Sequence, residues 1–466
     1  MRKLFKYLGI LAGIVAVAAA AFYFTFLHGL PKPKVAFQPI KFSGSEMPGQ
    51  HSCLWMGPVT IDSFNTAFPD EGAIYWPTVF EYPVDEDAGS YLEISGIFPK
   101  ARYMSIHTYT EGAVPYDRFK DNDIKADAGF ENPFTTGIWK PGQKYTLKVL
   151  LGTRPDNAAP NTLYFGPVEK ISSTPLIVRN YVPEVEGDPS GGAGLPKVAL
   201  VRANGERVEG EKLCALLKIP PIGDPKRIIT TPAIPRDVYA QMMSHPGVRQ
   251  DVFEAEHKDW TLFWGPKLSV MRLMSPELSA MFRWAARKGI VKKETGLYQT
   301  VDNDYVSMYV NDKYGKVIVL EAKLPRIPAT GAESANADKY DLRYWSLCTN
   351  EGLASTRYTD CVYDKNVVTD KDRNYTIVIS KPDDRPANAT RKCGVTWLDF
   401  GQQGDGAGNT GLSTLIMRNM LANPDFPQAI QRIPTVGEER ATLGVYLPTP
   451  QYSNKATFEK QGCNKG

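Results

Sequence analysis

Ser105 and His107 stand two residues apart in Arg102-Tyr103-Met104-Ser105-Ile106-His107, a spacing that puts both side chains on one face of a strand. A serine hydroxyl beside a histidine base is the beginning of acyl-transfer chemistry, provided a carboxylate such as Asp123 or Asp127 orients the imidazole. No GxSxG elbow accompanies the pair, so a polar strand face is the stronger expectation. Glu254-Ala255-Glu256-His257-Lys258-Asp259 gathers acids and an imidazole but lacks the HExxH spacing of a zinc helix. Two glycine-rich loops, 187–194 and 404–411, resemble phosphate cradles, yet neither ends in Gly-Lys-Ser/Thr. Asp405 and Asn409 offer oxygen ligands without EF-hand spacing. No metal and no cofactor is expected.

More weight falls on residues that occur twice. Ala101-Arg102-Tyr103-Met104-Ser105-Ile106 is answered by Leu342-Arg343-Tyr344-Trp345-Ser346-Leu347. Asp121-Asn122-Asp123-Ile124-Lys125-Ala126-Asp127 is answered by Asp364-Lys365-Asn366-Val367-Val368-Thr369-Asp370, and Leu176-Ile177-Val178-Arg179-Asn180 by Leu415-Ile416-Met417-Arg418-Asn419. Seven blocks recur in one order, the signature of a tandem duplication. His107 has Cys348 as its counterpart, so the serine and histidine pair is not shared. An arginine inside a strand needs a partner, which suggests internal pairs of Arg102 with Asp127 and Arg343 with Asp370. The functional reading is a ligand groove of Arg102, Tyr103, Arg179, Arg343, Tyr344, Trp345, Trp397 and Arg418, with arginine on an anion and aromatic faces on a sugar or apolar ring.

The elements that must position these residues are short strands. Tyr91–Phe98 alternates apolar with small or polar residues and is bounded by turn residues; 102–109, 145–151, 162–165 and 176–179 behave alike. The expected fold is mainly β, two tandem antiparallel β-sandwich domains of jelly-roll type at 55–205 and 295–466. A helical insert is expected at 206–294, where Ser275-Pro276-Glu277 opens an amphipathic run closed by Gly289. Net charge of +3 without a basic block excludes a nucleic-acid partner. Residues 1–7 are basic, 8–27 carry no charge, and 28–54 form a Pro-rich spacer, which predicts a transmembrane signal anchor with the remaining chain outside the cytoplasm. A cleaved signal peptide is the competing reading, but Phe22–Leu27 continues the apolar run past Ala18–Ala21. Six cysteines suit that oxidising location, and Cys348 with Cys361, flanking a hairpin loop, is the pairing expected.

The blocks Phe98–Ser105, Arg343–Leu347 and Ile416–Asn419 resemble a group of bacterial exported proteins of unknown function, over most of the chain after Trp55. The resemblance implies tandem β-sandwich envelope domains and supplies no catalytic residues. The expected function is non-catalytic binding or scaffolding, with a carbohydrate, lipid or envelope protein as partner beside the membrane itself. The alternative is a carbohydrate- or lipid-active hydrolase of the envelope.

Overall fold

The computed structural model describes residues 53–463 apart from 63–64, 82–88, 111–112, 167–173, 222–227, 245–258, 266–267, 270–271 and 273–275, together with 13–14, 16–21 and 36–41. In chain order the strands are β1 (Ala36–Lys41), β2 (Ala73–Phe80), β3 (Tyr91–Ile97), β4 (Ala101–Thr110), β5 (Val114–Lys120), β6 (Lys144–Leu150), β7 (Thr162–Tyr164), β8 (Thr174–Pro183), β9 (Lys197–Val201) and β10 (Arg207–Glu209). They continue with β11 (Ile228–Ala233), β12 (Thr261–Leu262), β13 (Asn303–Asn311), β14 (Val317–Lys323), β15 (Tyr344–Asn350), β16 (Tyr358–Tyr363), β17 (Asn374–Ser380), β18 (Val395–Asp399), β19 (Leu412–Met420) and β20 (Thr449–Ser453). The molecule is mainly β.

Each half carries two sheets. In the first half the orders are β2-β8-β4-β5 and β10-β9-β3-β6-β7; in the second they are β12-β13-β19-β15-β16 and β20-β14-β17-β18. Strand for strand, β2, β8, β4 and β5 match β13, β19, β15 and β16. The outer sheets match as well, down to one parallel pair in each, β6 with β7 and β17 with β18. Ser105 lies opposite Arg179, and Ser346 opposite Arg418. Even the register shift recurs, at Thr108/Tyr109 and at Thr349/Asn350.

Period-two alternation fills two faces of each inner sheet. Trp76, Phe80, Met104, Ile106, Leu176 and Val178 point into the first core, where they meet Leu92, Ile94 and Leu147 of the outer sheet. Val306, Met308, Trp345, Leu347, Leu415 and Met417 do the same in the second. The opposite faces are also buried, and they hold polar residues: Ser105, His107, Arg179, Ser346 and Arg418 are all nearly inaccessible. Burying such groups is tolerable only where partners wait for them. For His107, Arg179, Ser346 and Arg418 they wait on the other half.

The stretch 206–294 is not a purely helical insert. It holds β10, which extends the first half's outer sheet, and the helix Gly210–Leu216, whose Leu213 and Cys214 join the first core. It also holds β11, paired with β1, the helices Arg236–Ser244 and Pro276–Arg287, and β12 on the edge of the second half's inner sheet. Hydrogen bonding to existing sheet edges competes here with helix propensity. Among the described residues no helix is long and apolar enough to cross a membrane. Most of the expected anchor, 8–27, lies outside them. Three disulfides are formed, Cys53–Cys214, Cys348–Cys361 and Cys393–Cys463, as an oxidising extracytoplasmic environment permits.

Candidate ligand cavity between the two halves

The arginines expected to pair within their own halves pair across. Arg102 reaches Asp364 at 2.7 Å, and Arg343 reaches Asp121 at 2.6 Å. Each aspartate also accepts a backbone N–H from its own half, Asp121 from Met104 and Asp364 from Trp345. The expected partners serve elsewhere. Asp127 accepts from the Thr146 hydroxyl, and Asp370 accepts from the backbone N–H groups of Asp372 and Asn374 in a tight turn. Both corrections have one cause: the arginine-bearing strands face the opposite half, while Asp127 and Asp370 sit beside their own outer sheets.

The exchange continues along the contact. Tyr103 donates to Asp302 at 2.6 Å, and Tyr344 donates to Asp70 at 2.5 Å. Tyr181 packs edge-on against both rings. The segment before each inner sheet's first strand crosses onto the hairpin of the other half. Phe68 N–H donates to Thr356 O at 2.7 Å, and Tyr298 N–H donates to Ala113 O at 3.0 Å. Both segments turn through two consecutive left-handed residues, Ala67-Phe68 and Leu297-Tyr298. These straps are an eighth repeated block. Their residues differ almost throughout, which hides the repeat from sequence comparison.

Between the straps and the inner sheets lies a cavity of about 160 Å³. Its walls alternate around both halves: Tyr75, Pro77, Ile177 and Phe68 from the first, Tyr305, Tyr309, Ile416 and Tyr298 from the second, with Phe263 beside them. Two arginines line it. Arg418 is saturated, with Nη2 donating to Phe68 O at 2.7 Å, Nη1 at 2.9 Å from Cys348 Sγ, and Nε at 3.5 Å from Asp70. Arg179 donates to Tyr298 O at 2.7 Å and stacks near the Tyr75 and Tyr109 rings at 5.5 and 5.4 Å. Its Nη1 is buried with no hydrogen-bond partner.

Burial, helped by the charges of Arg179 and Arg118, holds His107 well below the usual imidazole range, so it is neutral. Its Nε2 lies 3.1 Å from Thr300 Oγ1, while Nδ1 has no partner. The carboxylate that a catalytic triad needs on that nitrogen is therefore missing; Asp123 is taken by Arg118 and Lys120. Asp70 approaches Cys348 and Cys361, but sulfurs joined in a disulfide are not thiolate ligands.

No family model and no curated protein matches this chain. Among solved structures it is similar to an uncharacterized protein from Burkholderia cenocepacia, with 11% identity over 87% of this chain and 82% of that one, at a TM-score of 0.41. It is also similar to a protein from Vibrio parahaemolyticus, with 12% identity over 86% of this chain and 91% of that one, at a TM-score of 0.35.

Of the eight residues expected to bind a ligand, Arg179 and Arg418 line the cavity. Tyr103 and Tyr344 lie in the contact between halves, and Arg102 and Arg343 are held there by their aspartates. Trp345 fills the second core. Trp397 lies on the outer sheet under Arg385, whose guanidinium is 4.3 Å from the ring. The cavity residues that composition concealed are Tyr75 and Tyr305; they occupy matched positions opposite Arg179 and Arg418.

Proposed function

We propose that this chain is an exported, membrane-anchored protein of the bacterial cell envelope that holds a small ligand, without chemistry, in the cavity between its tandem sandwich halves. The observation that carries this reading is a largely apolar, aromatic-walled cavity with a buried arginine donor left unsatisfied, the combination by which small-ligand sites are recognised. The anchor rests on the basic start and the uncharged run at 8–27, and membrane fractionation of tagged full-length chain tests it. The hydrolase alternative gains nothing from His107, whose Nδ1 lacks an orienting acid.

The cavity reading is tested by filling the space. Ile416→Trp puts an indole where Ile416 lines the wall. Low-molecular-weight envelope extract raises the melting temperature of the wild type through mass action and leaves the filled variant unmoved. An equal rise in both proteins places the ligand elsewhere and overturns the reading.

A further inference from the structure

The two halves differ at one decisive position. Tyr75 lies opposite Arg179 and Tyr305 opposite Arg418, so the residue five before each tyrosine occupies the same place in the two straps. In the first strap that residue is Asp70, which accepts from Ser346 at 2.9 Å and stands 3.5 Å from Arg418. In the second it is Thr300, a neutral side chain engaged with His107; the carboxylate that Tyr103 uses, Asp302, stands two residues further on and is paired with Arg118 at 3.0 Å. Arg418 therefore has a counter-ion. Among the described residues no carboxylate pairs with Arg179: its neighbours are the neutral His107, the rings of Tyr75, Tyr109 and Tyr181, the Tyr109 hydroxyl and the Tyr298 carbonyl.

A guanidinium that is 1% exposed, uncompensated and carrying an unpaired Nη1 is costly unless a negative group arrives. The cavity is where it can arrive. Resting on the cavity reading above, we infer that the ligand is a monoanionic organic acid whose carboxylate takes the place beside Arg179 that Asp70 fills beside Arg418. One unpaired donor and one uncompensated charge match a carboxylate. A dianionic phosphate would need a second free cation, and Arg418 is already neutralised. The apolar body rests against Tyr75, Tyr305, Ile177 and Ile416. A cavity of about 150 Å³ is known to hold a benzene ring, so the space of about 160 Å³ found here suits one aromatic ring or a short acyl chain.

The halves themselves supply the deciding variant. Thr300→Asp puts a carboxylate at the position of Asp70, with Ser105 and Arg179 standing where Ser346 and Arg418 stand for Asp70 and with Asp302 nearby already paired to Arg118, so the charge of Arg179 is used up from within. Titration calorimetry on the oxidised chain compares benzoate with benzyl alcohol and octanoate with 1-octanol. The acids bind at least about tenfold tighter than the alcohols, as a charge-assisted contact to a buried donor requires. Thr300→Asp and Arg179→Gln each remove that preference, and Thr300→Asp does so without lowering the melting temperature. Acid and alcohol binding alike, with both variants indifferent and Ile416→Trp abolishing both, overturns the acid assignment and leaves the cavity reading intact. If no probe binds the wild type, the assignment also falls, and the extract experiment with Ile416→Trp then judges the cavity alone.

Discussion

Asp121 and Asp364 each do two jobs, accepting a backbone N–H from one half and a guanidinium from the other. Arg102→Met strands Asp364, which is 6% exposed at its side chain, and is expected to cost about 3–5 kcal/mol in denaturant unfolding, whereas Arg102→Met/Asp364→Leu recovers most of that loss. A double variant as unstable as the single one would show that the pair acts through something besides its charges. Glu71 makes a pH prediction. Partial desolvation, then the charges of Asp360, Asp70 and Asp62, push its carboxyl up to about 7. The folded state thus binds a proton that the unfolded state releases above its ordinary value of 4.5, so stability falls as pH rises from that value towards 7. Glu71 is exposed enough that screening keeps the effect small. The difference in melting temperature between pH 5 and pH 8 should shrink in Glu71→Gln; an unchanged difference would assign it to other groups. The arginines were legible as residues needing partners. Their partners were not, because the repeat pairs Asp121 with Asp364 as evenly as Asp127 with Asp370, and nothing in a linear pattern says that a contact crosses between copies.

Strands were the most readable elements, since alternation such as Tyr91–Ile97 reports a face turned to a core. The straps were unreadable for the opposite reason. Ala67-Phe68 and Leu297-Tyr298 adopt left-handed backbone without glycine, a conformation that local sequence disfavours and that hydrogen bonds to the other half's hairpin hold in place. The disulfides also act at this scale. Cys53–Cys214 closes a loop of 161 residues and Cys348–Cys361 one of 13. In the chain-entropy account the first contributes about 5 kcal/mol and the second about 3 kcal/mol. Replacing each pair by alanine and comparing denaturation midpoints checks the order; a larger loss from the Cys348–Cys361 pair would show that native packing near Arg418 outweighs chain entropy there.

At the scale of the molecule, the inner sheet of each half buries one face on its own core and the other on its twin. A half made alone would expose Arg102, Arg179 and Tyr103, or Arg343, Arg418 and Tyr344, groups that are now almost fully enclosed. A cut after Pro221, which is exposed and precedes the residues that join the second core, should therefore leave two pieces that co-purify in equal amounts when made together and aggregate when made separately. Soluble, well-folded single halves would mean that the contact adds little. The matched contacts have the reciprocity of a dimer of like subunits, and covalent fusion changes what such a dimer can become. Two identical subunits must carry the same residue on both sides of their axis, so a cavity between them has equivalent ends. Within one chain, Asp70 and Thr300 are free to diverge. The cavity acquires a polarity: Arg418 at one end faces the carboxylate of Asp70, while Arg179 at the other end faces none.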